Sequence, residues 1–242
     1  MNLSDAIIPS DYSAVFIDID NTLLDFDAYV RNTLEEGFGH FGICSYEPRM
    51  EEVFHRENNK LWRAIERGEL TFAELQKIRF NTVFKALGVE GDGPAFEKYF
   101  RSKIYDSAIP IGGAFDCLSF FRGKSIVCAA SNGPSNQQIH RLEIAGMLEY
   151  FDYVFVSETL GIQKPEAEFF RRAFAIINEG RPEPLAPQKC LMLGDSLTSD
   201  IAGGVNAGMK TCLFDRHGKY SATEVARDAG AAVPDFAVTA LY

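Results

Sequence analysis

Ala14-Val15-Phe16-Ile17-Asp18-Ile19-Asp20-Asn21-Thr22-Leu23 is the stretch that decides the fold. Four apolar residues in a row, followed at once by acids, predict a strand buried on both faces that ends in a polar turn. Four more runs repeat the pattern: Ile126 to Ala130, Tyr153 to Val156, Cys190 to Leu193 and Thr211 to Phe214. They are continuous rather than alternating, and helical segments separate the last four. Those helices are expected after Gly133-Pro134, after Lys164-Pro165 and near Thr198, with the two prolines at the first helical position. Strands alternating with helices predict an α/β fold with a doubly wound, Rossmann-like parallel sheet.

Between the first two strands the pattern changes. Phe26, Val30, Leu34, Phe38 and Phe41 form one helical stripe, and Met50, Val53, Phe54, Leu61 and Ile65 a second. Phe80, Val83, Phe84 and Leu87 form a third, and Phe96, Tyr99, Phe100 and Ile104 a fourth. Gly68, Gly88 and Gly91-Asp92-Gly93 mark the breaks. The expected organisation is an α/β core from residues 1–24 and 107–242 with an inserted helical bundle at 25–106.

The first strand leads into Asp18 and Asp20. On an ideal strand, residues two apart share a side, so both carboxylates are expected at one spot on the carboxyl edge of the sheet. Crowded acids are costly unless a cation or a proton separates them. Alone, the pair reads equally as a polar turn capping a helix. Ser131-Asn132-Gly133-Pro134 alone reads as an ordinary helix start, Lys164 alone as a solvated charge, and Gly194-Asp195-Ser196-Leu197-Thr198-Ser199-Asp200 alone as another cap. Parallel strands, however, bring all four ends to one edge. Acids, a hydroxyl and a lysine together suit a hard cation and a bound anion, the requirements of phosphoryl transfer.

In order and spacing these four motifs resemble the haloacid dehalogenase (HAD) superfamily of hydrolases, and the bundle is similar to that family's type I cap. The resemblance implies Asp18 as the nucleophile that forms an aspartyl-phosphate, and Asp20 as the acid and base. It implies that Ser131, the backbone of Asn132 and Lys164 hold the phosphoryl oxygens. Mg²⁺ would be bound by Asp18, the Asp20 backbone carbonyl and Asp195, with Asp200 a further ligand or a group that orients metal-bound water or Lys164. Dehalogenases of the family lack the second acid, so Asp20 points to phosphate esters. Phosphomutases share Asp20 but commonly carry an acid where this chain has Gly194. The run from Asp18 to Phe26, with Asn21 in place of a common glycine, is similar to the pyrimidine 5′-nucleotidase branch. The resemblance thus implies a nucleoside 5′-monophosphate phosphatase. Sugar-phosphate or phosphoglycolate phosphatases, and phosphomutases, are the alternatives, and a phosphorylatable receiver-like module is the non-enzymatic one. The D-x-D pair and the large insert argue against a receiver. Leaving-group choice is expected in the insert, whose Phe26, Phe38, Phe54, Trp62, Phe72 and Phe80 read first as bundle core.

Composition narrows the partners. Of 242 residues, 46% are hydrophobic and 24% charged, which excludes a disordered chain, and the net charge of -10 disfavours phosphate backbones and anionic lipid. The expected partner is a small phosphate monoester, with no nucleic acid polymer and no membrane. Five scattered cysteines form no C-x-x-C pair; Cys128, Cys190 and Cys212 read as small buried hydrophobes. The four histidines are too dispersed for a metal cluster. No positive charge precedes Arg31, which argues against a signal peptide. A cytoplasmic location is expected.

Overall fold

The computed structural model describes residues 1–221 and 230–242. The chain forms two compact units: Met1–Asp25 together with Pro110–Tyr242, and Phe26–Ile109.

In the first unit six strands, among the described residues, form one parallel sheet: β1 (Ala14–Ile17), β2 (Ile126–Ser131), β3 (Tyr153–Val156), β4 (Cys190–Gly194), β5 (Lys210–Phe214) and β6 (Phe236–Val238). Their order is β3-β2-β1-β4-β5-β6. The apolar runs are unbroken because both faces are covered. Val15, Ile17, Val127, Ala129, Leu191 and Leu193 pack with Cys117, Leu118 and Phe121 of the helix Ala114–Phe121 and with Leu142 of the helix Ser135–Ile144. Their neighbours along the strands, Ala14, Phe16, Cys128, Ala130 and Met192, pack with Phe169, Phe170, Phe174 and Ile177 of the helix Ala167–Ile177. Phe16 alone meets the rings of Phe155, Phe170 and Phe174 at 5.4–6.0 Å. Burial of such a ring contributes about 1.5–3 kcal/mol.

The order of strands reverses beside β1. From it the chain winds outward through β2 and β3, then returns to β4 on the other side. Ile17 is level with Ala129 and Leu193, so the segments that follow β1, β2 and β4 emerge at one edge. That edge, at the reversal, is where open α/β sheets bind ligands.

Two details differ from expectation. Neither proline takes the first helical position: Pro134 stands one residue before the helix Ser135–Ile144, and Pro165 two before the helix Ala167–Ile177. Their fixed φ suits the extended entry as well as it suits a first turn. A sixth strand, β6, joins the sheet edge beside β5. Four cysteines are buried and all five are free thiols. Burial pushes Cys190 and Cys212 up to about 12, which fits packing rather than reactivity.

The second unit consists of the helices Phe26–His40, Arg49–Glu66, Phe72–Leu87 and Gly93–Tyr105. Thr71 and Glu74 form a capping box at the third, the Thr71 hydroxyl accepting from Glu74 N and Glu74 accepting from Thr71 N. The helix therefore begins eight residues ahead of Phe80, where its apolar stripe becomes regular. Asp92 caps the fourth helix by accepting from Ala95 N at 2.9 Å. Phe80 sits at the centre of the core, 4.6–5.8 Å from the rings of Phe54, Phe96 and Phe100. Among the described residues no helix is long and apolar enough to cross a membrane.

Candidate active site

β1 ends at Ile17, so Asp18 and Asp20 lie beyond the regular strand. Strand alternation does not set their directions, and the two carboxylates take different partners, though Asp20 is near enough for its charge to act on Asp18. Asp18 faces Lys164, and Asp20 faces Arg141 and Gln138. Directly after Asp20 the chain turns sharply. Asn21 donates its backbone N–H to Leu24 O and has φ near 60°, a left-handed conformation that Asn and Gly adopt more readily than other residues. This explains why asparagine can stand where relatives of the motif carry glycine.

Lys164 is the hub of the site. Its side chain is 1% exposed, and its ammonium donates to Asp18 Oδ1 at 2.8 Å, Asp200 Oδ1 at 2.5 Å and Ala130 O at 2.6 Å. Asn132 fixes the lysine backbone from both sides: its Oδ1 accepts from Lys164 N at 2.9 Å and its Nδ2 donates to Lys164 O at 2.8 Å. Asp200 is anchored through Oδ2, which accepts from Ser196 N at 3.0 Å. Leu197–Ile201 forms a single wide helical turn that brings Asp200 back toward the end of β4. A Cβ at position 194 would run into the Asp200 carboxylate, so the glycine that ends β4 makes room for that acid. Ser131 is buried, its hydroxyl oxygen accepting from Gly133 N at 3.1 Å and from Gln138 Nε2 at 2.7 Å.

Carboxylate oxygens of Asp18, Asp195 and Asp200 lie within 4.8 Å of one another, and this is the acidic group, among the described residues, that could hold a metal. Its donors are all hard oxygens, the set that Mg²⁺ or Ca²⁺ takes. Burial pushes the Asp18 carboxyl up to about 7 against the pull of Lys164, and Asp200 and Asp20 add to the rise. For Lys164 burial works the other way, but Asp18 and Asp200 outweigh it and hold the ammonium above its ordinary range. Acids outnumber cations at this edge. A divalent ion there would favour ionised Asp18, so the residues fit such an ion.

The structure thus brings Asp18, Lys164, Asp195 and Asp200 together, with Ser131 at the end of β2 and Asn132 just beyond it. Asp20 belongs to a second cluster that the sequence reading lacked, formed with Gln138 and Arg141. The available signal was a polar pair, three residues apart, on the same helix as the buried Leu142.

A charged, oxygen-rich cluster thus stands at the reversal of a parallel sheet, where open α/β folds bind ligands. The chain belongs to the haloacid dehalogenase-like hydrolases, whose family model matches residues 12–208. It is 34% identical to the HAD-hydrolase YfnB of Bacillus subtilis over 88% of both chains. It is 33% identical to the pyrimidine 5′-nucleotidase PynA of Streptococcus pneumoniae over 85% of both. With the pyrimidine 5′-nucleotidase YjjG of Escherichia coli it shares 31% identity over 84% of this chain and 86% of the relative. The magnesium-bound crystal structure of YfnB, which reveals interdomain movement in that protein, superposes with a TM-score of 0.80 and 95% coverage of each chain. The chain is accordingly an enzyme of the HAD-like phosphatase class, with a divalent metal site in reach of its acids.

Proposed function

We infer that the protein is a Mg²⁺-dependent phosphatase acting on small phosphate monoesters through an aspartyl-phosphate, and that its substrates are nucleoside 5′-monophosphates of the pyrimidine type. The observation that carries the chemistry is the Lys164 ammonium shared by Asp18 and Asp200, with an Asp195 oxygen close by. The substrate class rests on the likeness to PynA and YjjG.

Asp18, Asp195 and the Asp20 backbone carbonyl would hold the metal, which when bound supplies charge neutralisation for the phosphoryl oxygens. Lys164, the Ser131 hydroxyl and the Asn132 backbone bind the transferring group. A carboxylate oxygen of Asp18 attacks phosphorus as the ester P–O bond breaks. Asp20, as the carboxylic acid, gives its proton to the departing alcohol oxygen. Ionised Asp20 then takes a proton from water, whose oxygen attacks the same phosphorus and releases Asp18. One ester and one water become one alcohol and one phosphate, and both aspartates regain their starting states. Asp200 has both oxygens engaged, by Lys164 and by Ser196 N, which suits a group that orients Lys164.

Phosphate release from a panel of nucleoside and sugar monophosphates, with Mg²⁺ and with chelator, tests this reading. Pyrimidine 5′-monophosphates are expected to give the highest kcat/KM. Preference for a sugar phosphate would replace the substrate class, and sustained turnover in chelator would remove the metal.

A further inference from the structure

We propose that Gln138 and Arg141 are positioning residues for the acid/base step: they orient Asp20 and register it against Ser131. This rests on the reading of Asp20 given above.

The two sit three apart on the helix Ser135–Ile144 and share a face. Both are buried, Gln138 fully and Arg141 to 99%. Arg141 Nη1 donates to Asp20 Oδ1 at 2.6 Å and to Gln138 Oε1 at 2.9 Å. Arginine has only donors, so the contact fixes which end of the Gln138 amide faces it. The other end, Nε2, then donates to Asp20 Oδ2 at 2.8 Å and to Ser131 Oγ at 2.7 Å. Both Asp20 oxygens are therefore held, one by a charge-assisted bond, and the amide that holds the second also holds the Ser131 hydroxyl.

A purely structural role accounts poorly for this arrangement. A guanidinium is costly to bury, and an apolar side chain would fill the space under the sheet at less cost. The carboxylate that it engages is 32% exposed, open to a substrate, while its donors are sealed beneath. Room for the amide is also built into the backbone, since a Cβ at Gly133 would run into the Gln138 side chain. Misplacing a proton donor by about 1 Å can cost about 10²-fold.

The test compares an alkyl ester, β-glycerophosphate, with p-nitrophenyl phosphate, whose leaving group needs little protonation. Arg141→Met should lower kcat/KM, which reports aspartyl-phosphate formation and not the water step common to both esters, by about 10²-fold on the alkyl ester and by less than about tenfold on the nitrophenyl ester. Arg141→Lys should recover part of the loss. In an Asp20→Asn background, Arg141→Met should cost almost nothing more. Gln138→Leu keeps the volume, removes both donors and gives the same ester split, so the test survives if Arg141→Met fails to fold. Equal losses on the two esters, or losses that multiply with Asp20→Asn, would overturn the proposal. If Asp20→Asn alone left alkyl turnover intact, the acid/base reading itself would fall. If Asp20→Asn discriminated the esters but the Gln138 and Arg141 variants did not, only the present inference would.

Discussion

In the helical unit Arg79 is buried against Glu97, donating two bonds at 2.7 and 2.9 Å, with a third to Asn58 Oδ1 at 3.2 Å and its guanidinium 4.6 Å from the Phe100 ring. At the sheet edge Lys164 is buried as deeply, but it is divided between Asp18 and Asp200, with Asp195 also near. The first cation meets one acid in a matched fork; the second faces more negative charge than it can neutralise. A matched buried pair adds specificity to packing and leaves no electrostatic demand. An unmatched one costs stability and persists where a further cation completes it. The two clusters should therefore respond to mutation in opposite ways.

The largest effect is expected at the unmatched site. Asp18→Asn should reduce turnover by about 10⁴-fold or more, as loss of a nucleophile does, while the melting temperature holds or rises, since one buried acid is gone. Single-turnover kinetics and thermal unfolding, with mass spectrometry to exclude deamidation, check it. A large fall in stability would show that Asp18 is matched after all, as Glu97 is.

Asp20→Asn should follow, with kcat/KM for alkyl phosphates, which reports ester cleavage alone, falling by about 10²–10⁴-fold. The fall on p-nitrophenyl phosphate should be smaller, and Mg²⁺ activation should survive because a backbone carbonyl remains at position 20. Equal losses on the two esters would remove the acid role.

Both predictions depend on residues that were legible before any coordinates, and it is instructive which were not. β1 to β5 could be read because strands covered on both faces are unbroken apolar runs, and Phe16 with Val15 shows why neither face can be polar. β6 could not, since Phe236–Val238 is three residues long and carries no periodicity. The helix start at Phe72 was written in Thr71 and Glu74, a signal of capping rather than of apolar spacing. Asp18, Lys164, Asp195 and Asp200 could be gathered because parallel strands deliver their ends to one edge. The partners of Asp20 could not, because they depend on the path the chain takes once β1 stops pairing. Gln138 and Arg141 were hidden for a related reason: a buried polar residue on a helix is recognisable only once its partner from another strand is placed.

The matched pair supplies the reverse experiment. Glu97→Ala leaves the Arg79 guanidinium buried without its fork, which should cost about 3–5 kcal/mol of stability. Denaturant unfolding measures it. The Mg²⁺ concentration for half-maximal turnover should not move. Replacing both partners with methionine should restore much of the loss, because the packing around Phe80 and Phe100 remains apolar. Failure of the double variant to recover would mean that the pair does more than neutralise itself.

The smallest effect, and the one that most sharpens the contrast, is expected at Asp195. Unlike the buried Asp18 and Asp200, it is only half-buried. Its charge is thus the part of the cluster that loses least hydration on folding. Asp195→Asn keeps the shape and an oxygen but removes that charge, so stability should change little. The Mg²⁺ concentration for half-maximal turnover should rise on the order of tenfold, since affinity for a hard cation follows the number of charged oxygen ligands. Lys164→Met provides the control. It should depress turnover at every Mg²⁺ concentration, because the lost ammonium would have neutralised phosphoryl charge, and it should ease rather than raise the metal requirement by leaving more negative charge at the site. If Asp195→Asn left the Mg²⁺ titration unchanged while Lys164→Met shifted it to higher concentration, the excess negative charge at this edge would serve the lysine rather than a metal.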